Sequence, residues 1–251
     1  PRSVPTPAPA RARVLAQARF ELTTLLANGE QLLVSLVLPL GALVGLALTT
    51  APSLGEGRRI DLAVPGILAL CVISAAFTAQ AIATGFDRRY AVLRLLGTTP
   101  LGRGGLLWGK AAATLGVELL QWVVIGAVGV VLGWRPVPLG LLYAVAFLLA
   151  GTWAFVALAL LLAGLVRAEG VLALANLLWV LFLVLGGVIV PRTQLPEALA
   201  SVAGILPSAA LGDGLRAALA TGTFTIGALI VLLVWAATAT AVASRTFRWS
   251  D

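Results

Sequence analysis

Six stretches of roughly twenty apolar residues recur along this 251-residue chain, and about twenty is what an α-helix needs to cross a bilayer. They run Gln31–Thr50, Leu62–Phe86, Ala111–Gly133, Leu139–Val166, Val171–Val190 and Phe224–Ala243. Inside hydrocarbon every backbone N–H and C=O must find its partner within the protein, and continuous apolar runs achieve this as helices. Only 11% of the residues are charged, against about a quarter in soluble domains. The expected fold class is an all-α membrane protein with six transmembrane helices.

Charge orients the spans. If both termini are cytoplasmic, the inner side collects Arg2, Arg11, Arg13, Arg19, five basic residues between Arg88 and Lys110, then Arg167, Arg245 and Arg248. That makes twelve, whereas Arg58, Arg59, Arg135, Arg192 and Arg216 make five outside. The excess of arginine and lysine on cytoplasmic loops predicts both ends inside. Residues 1–12 (PRSVPTPAPARA) lack an apolar core of the signal-peptide kind and are expected to be a disordered cytoplasmic tail. Residues 13–30 read as a helix lying in the cytoplasmic interface, stopped by Asn28-Gly29. Its apolar face carries Val14, Leu15, Ala18, Leu22, Leu25 and Leu26, opposite Arg13, Gln17, Glu21 and Thr24. The six-span domain fills 31–251. Its outer segment 191–222 is broken by Pro191, Pro196, Pro207, Gly212 and Gly214, which predicts a re-entrant helical hairpin.

The basic island 87–110, DRRYAVLRLLGTTPLGRGGLLWGK, is the segment placed to meet a soluble partner. Asp87 to Leu96 reads as a helical extension of the second span. Gly97-Thr98-Thr99-Pro100 reads as a turn with a threonine cap, and Leu101 to Trp108 as a short helix returning to the bilayer. Gly104 to Lys110 matches a GxxxxGK phosphate-loop core, but Ala111 stands where magnesium needs Ser or Thr. No strand precedes it, and Leu106, Leu107 and Trp108 are wrong for a phosphate cradle. Trp108 and Lys110 read instead as interfacial anchors.

Within the spans, Glu118 is the one deeply placed acid, with Gln121 one turn away. Intramembrane carboxylates are costly and face the bundle interior or a wet cavity. Glu118 and Gln121 are thus candidates either for a translocation path or for a structural hydrogen bond. Asn176 suits a helix–helix hydrogen bond, and Gly41 and Gly45, spaced GxxxG, suit close packing of a second copy, as do Gly129 and Gly133. The chain has no histidine and a single cysteine, Cys71, inside an apolar run. Imidazole acid–base chemistry, Ser–His nucleophiles and a disulfide framework are thereby excluded. No catalytic residue, metal site or nucleic-acid partner is expected.

Taken together these features resemble the membrane subunit of ABC-2-type exporters, a permease family of bacterial drug, polysaccharide and lipid exporters. The resemblance is sharpest at Asp87-Arg88-Arg89, Leu93-Arg94-Leu95-Leu96, Thr99-Pro100-Leu101 and Gly109-Lys110, and extends to Pro191, Leu195-Pro196, Pro207 and Gly214-Leu215-Arg216. It implies that the island is a coupling helix docking on a separate ATPase subunit through Arg88, Arg89, Leu93, Arg94, Leu95, Thr99, Pro100, Leu101 and Arg103. It implies a second copy or a homologous permease, with spans one and five at the interface. ATP and magnesium would bind the ATPase, with no cofactor on this chain, in the bacterial inner membrane. The implied substrate is an amphipathic drug or lipid, with haem or a lipid-linked glycan as alternatives. A membrane anchor or assembly factor and an intramembrane enzyme stay open as readings of another class.

Overall fold

The computed structural model describes residues 8–27 and 29–246, and among these every regular element is helical, with no strand. Residues 1–7 of the expected tail, the Asn28 stop and Arg248 lie outside the described residues. The elements are α1 (Ala10–Ala27), α2 (Gly29–Leu48), α3 (Arg59–Val72), α4 (Gln80–Arg89), α5 (Val92–Gly97), α6 (Gly102–Val131), α7 (Pro138–Leu165), α8 (Ala168–Leu185), α9 (Glu197–Ala203), α10 (Pro207–Arg216) and α11 (Ile226–Thr246). A π-helical stretch, Ile73–Ala79, joins α3 to α4, and another, Ala217–Thr221, extends α10.

Five helices among the described residues are long and apolar enough to cross a membrane: the α3–α4 rod Arg59–Arg89, α6, α7, α8 and α11. The first expected span coincides with α2, whose apolar part Ser35–Leu48 is shorter. The hairpin segment forms two helices bent by 95°, Glu197–Ala203 and Pro207–Thr221. Sequence boundaries shift in three places. The first helix starts at Ala10, three residues inside the segment expected to be disordered. Span five stops at Leu185 instead of Val190, because Gly187 turns the chain with φ +61°, a conformation that glycine reaches without steric cost. The third span starts at Gly102, so the short helix expected over Leu101–Trp108 is its first part, and the separate short helix of the island is α5.

The spans alternate in direction, and α7 is the centre of the bundle. Phe147, Ala154, Phe155 and Ala157 of α7 are fully buried. Small residues let neighbours approach closely. A Cβ on Gly151 would sit 2.9 Å from Leu211 Cδ1, and one on Gly140 only 1.9 Å from the Ala218 carbonyl oxygen. Thus α10 and its π extension lie along the first half of α7, with Leu211 about half-way down it. Phe77, Phe155 and Phe182 stack edge to face at 5.4–6.4 Å, tying the π stretch of the α3–α4 rod to α7 and α8.

Arginine side chains close the carbonyl ends of five helices. The last carbonyls of any helix lack intrahelical donors, and hydrocarbon supplies no water to replace them. Arg59 Nε donates to Leu46 O of α2 at 2.5 Å, and Arg58 donates to Gly133 O beyond α6. Arg88 donates to Ala163 O, at 2.5 Å, and to Val166 O, both at the end of α7. Arg216 reaches Val188 O beyond α8, and Arg103 reaches Ser244 O in the last turn of α11.

Candidate docking and coupling site

The island is built as a knob between two spans. The rod ends at Arg89, and Ala91 turns the chain with φ +61°, a left-handed value that costs an L-residue about 1–2 kcal/mol. After that corner α5 runs for six residues. The Thr98 and Thr99 hydroxyls donate back to Leu95 O and Leu96 O at 2.7 and 2.6 Å, closing α5 at its C-terminus. The threonine cap expected of this turn thus serves α5; Thr99 Oγ1 also accepts from Leu101 N at 3.4 Å, just before α6.

The knob sorts the candidate residues into two groups. Tyr90 and Leu95, each 69% exposed, form an apolar surface with Val92, flanked by exposed Arg94, Thr99 and Pro100. Arg89 is exposed and pairs with Glu169 at the start of α8. Arg103 is exposed but engaged at the end of α11, and Leu101 is half-buried. Arg88 and Leu93, also expected to dock on a partner, are buried inside the chain. The physical reason is local: Leu93 points into the core from α5, while Arg88 spans to the open carbonyls of α7.

Behind the knob, α1 is clamped to the start of α6. A Cβ on Gly109 would lie 2.7 Å from Gln17 Cγ, and one on Gly116 would lie 2.9 Å from Leu22 Cδ1. Lys110, 0% exposed, places its ammonium 2.9 Å from Glu21 Oε1 and 3.3 Å from Asp87 Oδ2. Gln17 Nε2 adds a bond of 2.9 Å to Glu21. One buried cation thus ties α1, α4 and α6 together. The face of α1 turned inward carries Gln17, Ala18, Glu21 and Leu22, whereas Leu15 and Leu26 are exposed. This corrects the sequence assignment, which put Gln17 and Glu21 on the outer face. The Gly104–Lys110 segment is continuous helix, not a loop, and Lys110 is an internal anchor, not an interfacial one.

Glu118 and Gln121 are both buried but diverge. Glu118 Oε2 meets Thr152 Oγ1 of α7 at 2.5 Å, inside the bundle. Gln121 Nε2 donates to Ser35 O of α2 at 3.1 Å and lines a cavity of about 80 Å³. Ser74, Gln80 and Thr114 also line it, and Gln80 Nε2 donates to Thr114 Oγ1 at 3.0 Å. Gln80 Oε1 and Gln121 Oε1 have no hydrogen-bond partner among the described residues, and such groups suit a bound water or polar ligand. Gln80, Ser74 and Thr114 were missed in the sequence because single polar residues in apolar runs carry no pattern.

Cβ atoms built on Gly41 and Gly45 meet nothing within 4 Å, so this face of α2 is open. By contrast, Gly129 packs on Val64 and Trp134, and Asn176 donates within its own helix to Leu172 O at 2.8 Å. Gly129 thus serves close helix packing within the chain, against α3, whereas Asn176 does not make the interhelical bond expected of it.

At the end of the bundle away from the knob, Arg192 and Arg216 flank Asp213 at 3.2 and 3.7 Å, fastening the link after α8 to α10. Trp235 Nε1, nine residues into α11, donates to Ile205 O at 2.8 Å, so the α9–α10 bend reaches well below the end of α11.

A search of curated proteins returns no match. The family model described as ABC-2 family transporter protein matches residues 56–245, that is 190 of the 251 residues, from just before α3 to the last turn of α11. With its multi-pass apolar helices and the knob hung between two of them, the chain belongs to the ABC-2 transporter family, as a membrane transport subunit.

Proposed function

We propose that this protein is the permease of an ATP-driven exporter, coupled through the α5 knob to a separate ATPase subunit. The observation that carries the reading is the exposed set Tyr90, Val92 and Leu95 beside Arg94, at the tip of a rigidly backed corner. An exposed tyrosine next to an arginine is the composition of interface hot spots, and Val92 and Leu95 add apolar area beside them. The knob, α1 and the arginine-rich loops sit at the same end of the bundle. The positive-inside rule puts that end, and both termini, in the cytoplasm.

In this reading a second permease copy packs on the open glycine face of α2, with α8 beside it. Closure of the ATPases pushes on α5 and moves α4 and α6 as one body with α1, because Lys110 joins all three. The small polar cavity at Gln80, Thr114 and Gln121 lies on the α2 side and suits the polar part of an amphipathic drug or lipid on its way outward. Glu118, held by Thr152 on the far side of α6, serves structure.

The test is co-purification of the chain with a P-loop ATPase encoded beside it, followed by substrate-stimulated ATP hydrolysis in nanodiscs. Leu95→Asp is expected to abolish ATPase retention at unchanged helical content. Retention equal to that of the unaltered chain would overturn the docking assignment.

A further inference from the structure

On the side of the bundle away from α2 and α8, α6 and α11 stand apart over α7 and leave a groove. Small residues open it: Ala112 of α6 and Ala146 and Ala150 of α7 lie opposite Leu229 and Leu233 of α11, around about 410 Å³ of space. These positions fall at helical spacing, so each helix contributes one continuous stripe. Toward the knob the groove narrows between Trp108 and Trp153, whose ring centroids are 5.7 Å apart, and both rings also line a second cavity of about 90 Å³. That cavity ends at Arg103, Thr240 and Ser244. Trp153 Nε1 donates to Thr240 Oγ1 at 3.1 Å, which fixes the indole as a wall.

The two cavities adjoin at the tryptophan pair and make one surface slot across it, apolar at mid-span and cationic at the knob end. From Leu229 to Ser244 the helix rise gives about 22 Å, close to half of a 30 Å hydrocarbon core plus part of the headgroup layer. Tryptophans mark the headgroup boundary, and Arg103 lies one turn beyond Trp108. Among the described residues one guanidinium nitrogen of Arg103 is engaged, with Ser244 O, and a guanidinium offers five donors in a fork suited to phosphate.

We infer that this slot is a binding site for one anionic phospholipid, its phosphate on Arg103 and an acyl chain passing over the Trp108–Trp153 pair to lie between Ala146 and Leu233. The lipid would bridge α6 and α11 across α7, filling a gap that side chains leave open. The leaflet, though not the site, rests on the orientation proposed above, which makes it the inner one.

Native mass spectrometry of the full chain in detergent tests this, with phosphatidylglycerol or phosphatidylcholine added at equal ratio. One phosphatidylglycerol per chain is expected to survive at collision energies that strip phosphatidylcholine. The preference should be about fivefold, the effect of one basic side chain on an anionic lipid. Arg103→Gln should erase the preference while lipid is still retained. Ala146→Trp, filling the slot, should abolish retention, and the smaller Ala112→Leu should weaken it in a chain that folds normally. Equal retention of both lipids by the unaltered chain would overturn the phosphate site. Unchanged adducts in both filled variants would overturn the slot, and so would a lipid-free dimer that shields Leu233 from modification, assigning the groove to a second copy.

Discussion

Arginine does two different jobs in this chain, and the distinction is visible only residue by residue. Arg88 and Arg94 lie six positions apart in one basic island, yet Arg88 closes the end of α7 while Arg94 faces outward. Replacing Arg88 by methionine leaves two carbonyls without donors, each costing about 1–3 kcal/mol when buried. Arg88→Met is therefore expected to lower the thermal unfolding midpoint in detergent markedly. Arg94→Met should keep stability within about 0.5 kcal/mol, as surface changes do, and should weaken only ATPase retention. Equal midpoints for the two variants would refute the division. The sequence showed a basic island but not this partition, because charge counting treats all loop arginines alike. What decides the role is which carbonyl end lies within reach, a tertiary fact.

Among the elements, α1 shows why polarity alone misplaced a face. A helix read in isolation turns Leu15 and Leu26 inward and Gln17 and Glu21 outward. The partner helix reverses this, since α6 presents glycines at 109 and 116 and a buried ammonium at 110. Gly109→Val should force α1 off α6, because even a Cβ would stand 2.7 Å from Gln17. The readout is limited trypsin digestion, with cleavage after Arg13 and Arg19 expected to speed up several-fold. Unchanged rates would mean that α1 is held by other contacts. Most span ends, in contrast, were legible to within about three residues, because twenty-residue apolar runs carry their own length signal; the third span starts nine residues earlier than expected and the fifth ends five earlier. The break within segment 191–222 was legible through its prolines, and Pro207 opens α10. The π stretch Ile73–Ala79 was not, since nothing in ISAAFTA departs from an ordinary apolar helix.

For the whole molecule, the open face of α2 is the feature that the chain by itself does not explain. Gly41→Leu with Gly45→Leu fills empty space, so the monomer's unfolding midpoint should hold. If the face seats a second copy, the double variant should shift the purified species from dimer to monomer in light scattering coupled to size exclusion. A dimer that persists would place the contact elsewhere. The long helices carry a mechanical consequence. α6 runs 30 residues without a proline or a π turn, about 45 Å of uninterrupted backbone leading away from the knob. Its neighbour, the α3–α4 rod, holds seven π-helical residues at mid-length. One strut is therefore stiff and the other has a compliant joint. A tilt of about 5° at the knob end of the stiff strut sweeps its far end through about 4 Å, so a small displacement at one end becomes a larger one at the other, with the joint absorbing the difference in stroke.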